Sequence, residues 1–213
     1  MSALASPLLV VVLLINLFLL GTSRVRAAIT GAAAQGVLLG VLALVIDDAL
    51  SGSHIAVAAG AIVLKGIAFP ALLARAIRDL AVRREIEPLI GLVPSLLLGA
   101  IGTAASLLFA SSLPLAPAHE GSLVVPGALA TVFTGFMLLT TRRKAITQVV
   151  GYLVLENGLF IMGLGLLEAM PFLVEVGILL DLFVGIFVMG IIINHMRREF
   201  GSIDTERLTS LRE

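Results

Sequence analysis

Four side chains in this 213-residue chain stand where polar and ionisable groups are expensive. Gln35, Lys65, Glu156 and Asp181 each lie inside a long apolar run. In "GYLVLENGLF" the glutamate is followed by an asparagine and bounded by oily sequence on both sides. "IVLKGIAFP" and "GILLDLFVG" place a lysine and an aspartate in the same way. A charge at the centre of a bilayer costs about 2.5–3.5 kcal/mol on insertion scales, so such residues face a bundle interior or a hydrated cavity rather than lipid. Desolvation disfavours the charged form of an acid or a base. A carboxyl poised between its two forms loads and releases protons near physiological pH, which is the physical requirement for a relay. These four residues are therefore the candidate proton or ion pathway. The structural alternative for Lys65 is an ion pair with Glu156 or Asp181.

Their neighbours differ. Glu156 has Asn157 beside it and Tyr152 one turn earlier, polar company that leaves its charge uncancelled. Asp181 has Gly177 and Gly185 four residues to either side. Small residues let a second helix approach closely, so this face reads as an interface that contains a carboxylate. Glu175 precedes Asp181 by six positions, about 240° around a helix, and does not share that face. Glu168, Glu120, Asp47 and Asp48 read as outer-surface charges. His54, His119 and His195 show no ligand spacing, and there is no cysteine. No metal site, disulfide or Fe–S cluster is expected. The phosphate-binding glycine motif, the nucleophile elbow and the redox pair are all missing from the sequence. No bound cofactor is expected, and no covalent chemistry by the chain alone.

The elements that must position these groups follow from composition. The chain is 59% hydrophobic and 13% charged, with mean hydropathy +1.13, whereas soluble domains carry about 25% charged residues. A span needs roughly 20 apolar residues, and seven windows qualify: 4–22, 27–46, 54–75, 89–110, 124–141, 146–167 and 172–194. Backbone groups cannot stay unpaired in lipid, so each must be helical. The expected fold is an all-α integral membrane protein of seven transmembrane helices. The first window lacks the basic n-region of a signal peptide and is read as a retained helix. Arg24, Arg26, Arg75, Arg78, Arg83, Arg84, Arg142, Arg143, Lys144, Arg197, Arg198, Arg207 and Arg212 all follow odd-numbered spans, while the alternate loops carry no Lys or Arg. The positive-inside rule makes the Arg-rich side cytoplasmic, with the N-terminus out and the C-terminus in.

An internal echo divides the chain. "TSRVRAAITGAAAQGVLLG" resembles "TTRRKAITQVVGYLVLENG", with Ile29-Thr30 aligned on Ile146-Thr147, and Lys65 and Asp181 fall at nearly the same offset. The reading is a 3+1+3 parallel repeat. Residues 1–86 form an N-terminal three-helix half, 87–122 a linking helix and outer loop, and 123–213 a C-terminal three-helix half with a short cytoplasmic tail. The halves differ where chemistry is expected: Glu156 and Asp181 in the second, Gln35 and Lys65 in the first.

The stretches "TTRRKAITQVVGYLVLENGLFIMG" and "VEVGILLDLFVGIFVMGIIINHMRREFGSIDTERLTSLRE" closely resemble component E of hydrogenase-4, a membrane subunit of the formate-hydrogenlyase and energy-converting NiFe-hydrogenase group. They look more distantly like the K subunit of respiratory complex I and the C subunit of Mrp-type cation/proton antiporters. In the complex I subunit, glutamates on two neighbouring helices serve the lateral proton path. By motif match Glu156 takes the first position and Asp181 the second, where aspartate replaces that subunit's glutamate. The first half departs further, and Lys65 resembles the proton-carrying lysines of antiporter-like subunits.

The resemblance implies an accessory subunit in the bacterial inner membrane. It would bridge a peripheral hydrogenase-like redox module to antiporter-like subunits in the lipid bilayer, without nucleic acid. On this reading Glu156, Asp181, Lys65 and Gln35 conduct protons or cations. The alternatives are a scaffold whose buried charges only lock helices to partners, and a stand-alone cation transporter that would work alone in liposomes.

Overall fold

The computed structural model describes residues 4–45, 52–79, 89–113, 122–166 and 185. Among them the regular elements are all helical: α1 (Ala5–Gly21), α2 (Val25–Val45), α3 (Gly52–Ala61), a π-helical segment (Ile62–Ala68), α4 (Phe69–Asp79), α5 (Leu92–Ser111), α6 (Val124–Thr141) and α7 (Ala145–Leu166). The first six expected spans coincide with helices to within a few residues. Five of these stretches are long and apolar enough to cross a membrane, and α1 is a shorter apolar helix. The seventh window, 172–194, and with it Asp181, lies outside the described residues. Gly185, in that window, packs against the ring of Phe69.

The third span is continuous but not uniform. Pro70 has no N–H to offer the carbonyl four residues back, and its ring crowds that position. Just upstream the ladder widens, with the Phe69 N–H donating to the Leu64 carbonyl five residues earlier. Such π segments are rare and recur at functional sites. This one carries Lys65.

Polarity is arranged inside out. The outward surface of α5 is apolar, with Val93, Ile101 and Leu108 all well exposed, and only 17% of this helix is buried inside the chain. The buried positions, by contrast, include Asn16, Gln35, Lys65, Thr131, Glu156 and Asn157. A helix bundle in lipid gains nothing by hiding Leu from Leu-like tails. Its association rests on close packing and polar contacts instead.

Close packing is visible on the α6–α7 seam. A Cβ on Gly135 would run into the backbone of Leu155, and one on Gly151 would stand 2.7 Å from the amide nitrogen of Leu139. At one end of the bundle, two basic turns join α1 to α2 and α6 to α7. Arg142, buried there, donates from Nη2 to the carbonyl of Leu20 at 2.8 Å, neutralising one of the carbonyls that α1 leaves open at its C-terminus. Desolvation pulls its pKa below the ordinary arginine value.

Two apolar clusters fill the interior. One, near the basic turns, includes Leu20, Ile29, Phe69, Leu73, Met137 and Val150. The other, at the opposite end, includes Leu9, Leu42, Ala58, Val124, Phe160 and Leu164. Between them lies a layer that is not apolar.

Candidate functional site: a polar layer at mid-helix

Each helix of the interior contributes to that layer at the point where it passes from one apolar cluster to the other. Asn16 lies between Val12 and Leu19 on α1, and Gln35 between Ala32 and Leu39 on α2. Lys65 lies between Ala61 and Phe69, Thr131 between Ala128 and Met137, and Glu156 with Asn157 between Val154 and Phe160. All six are buried, with Asn16, Gln35 and Thr131 at 0% exposure and Glu156 and Asn157 at 2%. Burial of this many polar groups is tolerable only where they satisfy one another.

The charged part is a pair. Lys65 Nζ stands 2.9 Å from Glu156 Oε1, and the same ammonium lies over the ring of Phe160, 4.9 Å from its centroid. Phe160 follows Glu156 by four residues, so carboxylate and ring share one face of α7. The lysine reaches them because α2 and the π segment come very close. A Cβ on Gly36 would lie 2.7 Å from the Lys65 carbonyl carbon and 2.8 Å from its Cβ. Any larger residue at position 36 would push the lysine backbone away.

The neutral part is a ladder with a fixed direction. Thr131 Oγ1 donates its only proton to the carbonyl of Gly127 at 2.7 Å, one turn back in its own helix. Its oxygen then accepts from Asn16 Nδ2 at 2.9 Å. That commits Asn16 Oδ1 as an acceptor, which takes a bond from Gln35 Nε2 at 2.8 Å. Gln35 Oε1 in turn accepts from Asn157 Nδ2 at 3.1 Å. The order ends at Asn157 Oδ1, a buried acceptor with no hydrogen-bond partner. Reversing any one amide would set two donors or two acceptors face to face, so the helix carbonyl at Gly127 orients every amide behind it.

Carboxylate and ammonium groups can gain and lose protons, whereas amides do neither. The ladder therefore binds α1, α2, α6 and α7 together and fixes their register. Acid–base chemistry in the layer belongs to Lys65 and Glu156. The structure brings together three of the four residues singled out by sequence, Gln35, Lys65 and Glu156, and distributes them between these two parts. Asp181 is outside the described residues. Asn157, expected as hydrogen-bonding company for Glu156, donates one of its two side-chain N–H groups to Gln35.

Two members of the layer escaped sequence reasoning. Asn16 carries a legible signal, being the one polar side chain between Ser6 and Thr22; lacking charge, it drew no attention. Thr131 has a weaker one, since threonine satisfies itself on its own helix and is common in spans. Among the described residues no group of three or more His, Asp or Glu side chains is placed to hold a metal ion.

Comparison with known proteins follows this geometry. Uncharacterized protein Rv0085 of Mycobacterium tuberculosis (strain ATCC 25618 / H37Rv) is 35% identical over 162 residues, which is 75% of this chain and 73% of that protein. The chain belongs to this family. Hydrogenase-4 component E of Escherichia coli (strain K12) is 31% identical over 100 residues, 47% of this chain and 45% of that protein, and component E of Shigella flexneri matches to the same extent. The chain thus matches less than half the length of the component E proteins, and the relationship to them is distant. No family model matches the chain, and no solved structure matches it. Among its described residues this member of the family is helical, with the apolar surface of a membrane protein and an ion pair and an amide ladder in its interior.

Proposed function

We propose that the chain is an accessory membrane subunit of an energy-converting complex of the hydrogenase-4 or complex I kind. In it the Lys65–Glu156 pair takes part in moving protons or cations coupled to a redox partner. The observation that carries this reading is a buried ion pair held at mid-helix between two apolar clusters. An apolar substitute would pack as well at lower cost, because desolvating two charges is repaid only by excellent geometry. A pair in this position is useful for what it does on protonation. Arrival of a proton on Glu156 turns a neutral pair into a single buried cation, and its departure restores neutrality. That is a switchable charge inside a low-dielectric interior.

Similarity to hydrogenase-4 component E supports placing this switch in a multi-subunit complex, with antiporter-like subunits and a peripheral redox module as partners. The expected topology is seven spans in the bacterial inner membrane, N-terminus out and C-terminus in. Asp181 is proposed as the second carboxylate of the path, and Gln35 as the residue that ties the path to the ladder.

The test is Glu156→Gln in the intact complex, with proton movement per electron measured in vesicles. Loss of coupling at normal redox activity, measured per assembled complex, supports the relay. Wild-type coupling in an assembled variant refutes it. A scaffold role also has an observation in its favour, since the ladder ties four helices together. It predicts a lower yield of complex and unchanged coupling in what remains.

A further inference from the structure

Arg142, 1% exposed, stands in the turn between α6 and α7. Its Nη2 donates to the Leu20 carbonyl at 2.8 Å. Nε and Nη1 have no acceptor, which leaves three of the guanidinium's five N–H groups unused, one on Nε and two on Nη1. A carbonyl oxygen is neutral, so the bond to Leu20 does not balance the charge. Among the described residues no carboxylate pairs with Arg142. Burying a charge is costly unless it is both paired and hydrogen-bonded. The unused donors therefore fit an anion that offers several oxygens.

The surroundings add positive potential and no competing acid. Arg24, Arg26 and Arg143 are exposed at the same end, and residues 22–26, 89–95 and 141–148 contain no Asp or Glu. The fifth helix begins here too. The Leu89 N–H donates at 2.7 Å to the carbonyl of Thr141, the residue before Arg142. Just beyond, α5 starts at Leu92 without a side-chain cap. A helix start carries N–H groups unmatched within the helix and a partial positive charge.

Depth and apolar surface identify the kind of anion. The 18 residues of α6 rise about 27 Å in all, close to the hydrocarbon thickness of a bilayer. Arg142 follows the last of them and so lies at headgroup level. The peptide that accepts the Nη2 bond joins Leu20 to Gly21, and Gly21 is exposed. Among the described residues a Cβ on Gly21 would meet Leu96 Cδ1 alone, in ordinary contact at 3.6 Å. The approach to this peptide is open on that side. Leu96 is itself exposed, and the apolar surface continues along α5 through Val93 and Leu97. A cationic seat that opens onto an exposed apolar helix face matches an amphiphile better than a free ion or an acidic loop. Basic pockets between helices at this level suit the headgroups of anionic lipids.

We propose that Arg142 binds the headgroup phosphate of an anionic phospholipid whose acyl chains lie along the exposed face of α5. Guanidinium N–H groups match phosphate oxygens in geometry as well as in charge. The lipid joins α1, α5 and α6 at this end, and Gly21 keeps its entry open.

The test uses the full-length chain in non-ionic micelles at about 0.5 M salt, where attraction to exposed charges is screened. Binding of a tail-labelled phosphatidylglycerol is followed by fluorescence anisotropy, with unlabelled phosphatidylglycerol, phosphatidylcholine and inorganic phosphate as competitors. Phosphatidylglycerol is expected to displace the label at concentrations where the other two do not. Arg142→Gln is expected to weaken binding at least about tenfold. Arg143→Gln removes an exposed charge and is expected to weaken it by no more than about twofold. Gly21→Leu fills the entry, leaves the Arg142–Leu20 bond in place, and is also expected to lose the lipid. It carries the test if Arg142→Gln fails to fold. Wild-type affinity in Arg142→Gln or in Gly21→Leu overturns the site, as does an equal loss in Arg143→Gln. Displacement by inorganic phosphate as effective as by the lipid overturns its assignment to a membrane headgroup.

Discussion

Breaking the Lys65–Glu156 pair from either side should cost more stability than removing it whole. The ammonium and the carboxylate stand 2.9 Å apart in a buried layer, and Lys65→Met and Glu156→Gln each remove one partner. Removing one partner of a buried pair costs about 3–5 kcal/mol. The double variant removes both charges and leaves a poorly partnered amide, at about 1–3 kcal/mol. The summed costs of the two single variants should therefore exceed the cost of the double variant by about 3 kcal/mol or more. The assay is reversible SDS titration of the full-length chain in mixed micelles, followed by far-UV circular dichroism. Additive single-variant costs would refute the claim that these two groups hold each other's charge.

The ladder and the helix approach give further expectations. Thr131→Val removes the acceptor of the Asn16 N–H and should cost about 1–3 kcal/mol in the same titration. Thr131→Ser keeps the hydroxyl and should recover most of that; equal losses in the two would mean the ladder is not anchored at Thr131. Gly36→Ala places a methyl group 2.7 Å from the Lys65 carbonyl carbon and should destabilise by about 1–3 kcal/mol through overpacking. It should also shrink the Lys65–Glu156 coupling measured by the double-mutant cycle, and an unchanged coupling would show that Gly36 does not set the reach of the lysine.

The path from sequence to site was uneven, and the unevenness has physical causes. Lys65 and Glu156 stood out because a charge in an apolar run is costly wherever the helix points. Gln35 stood out for the same reason, more faintly. Asn16 and Thr131 carry weaker signals because a neutral amide or hydroxyl costs less in a span than a charge does, and threonine can bond to its own helix. Their importance appears only when the packed helices bring Asn16 within 3 Å of both Thr131 and Gln35. Phe160 had no signal at all, since one phenylalanine among leucines and valines looks like packing until an ammonium is found over its face.

Composition and periodicity determined the class of the molecule by themselves. Apolar runs of bilayer length must be helical, because lipid offers a backbone amide no other partner. Among the described residues the two basic turns, after α1 and after α6, lie at one end, where Arg142 and Leu20 meet. The pairing of helices was not written there, because these helices are apolar on nearly every side and periodicity cannot say which face looks inward. That choice is made by shape and by polar matching at a distance in sequence. Glycines 36, 135 and 151 set which backbones can touch, and the Gly127 carbonyl orients an amide ladder that reaches Asn157. Only the packed bundle could decide that Lys65 faces Glu156 across 91 positions of sequence, with an aromatic ring beside them.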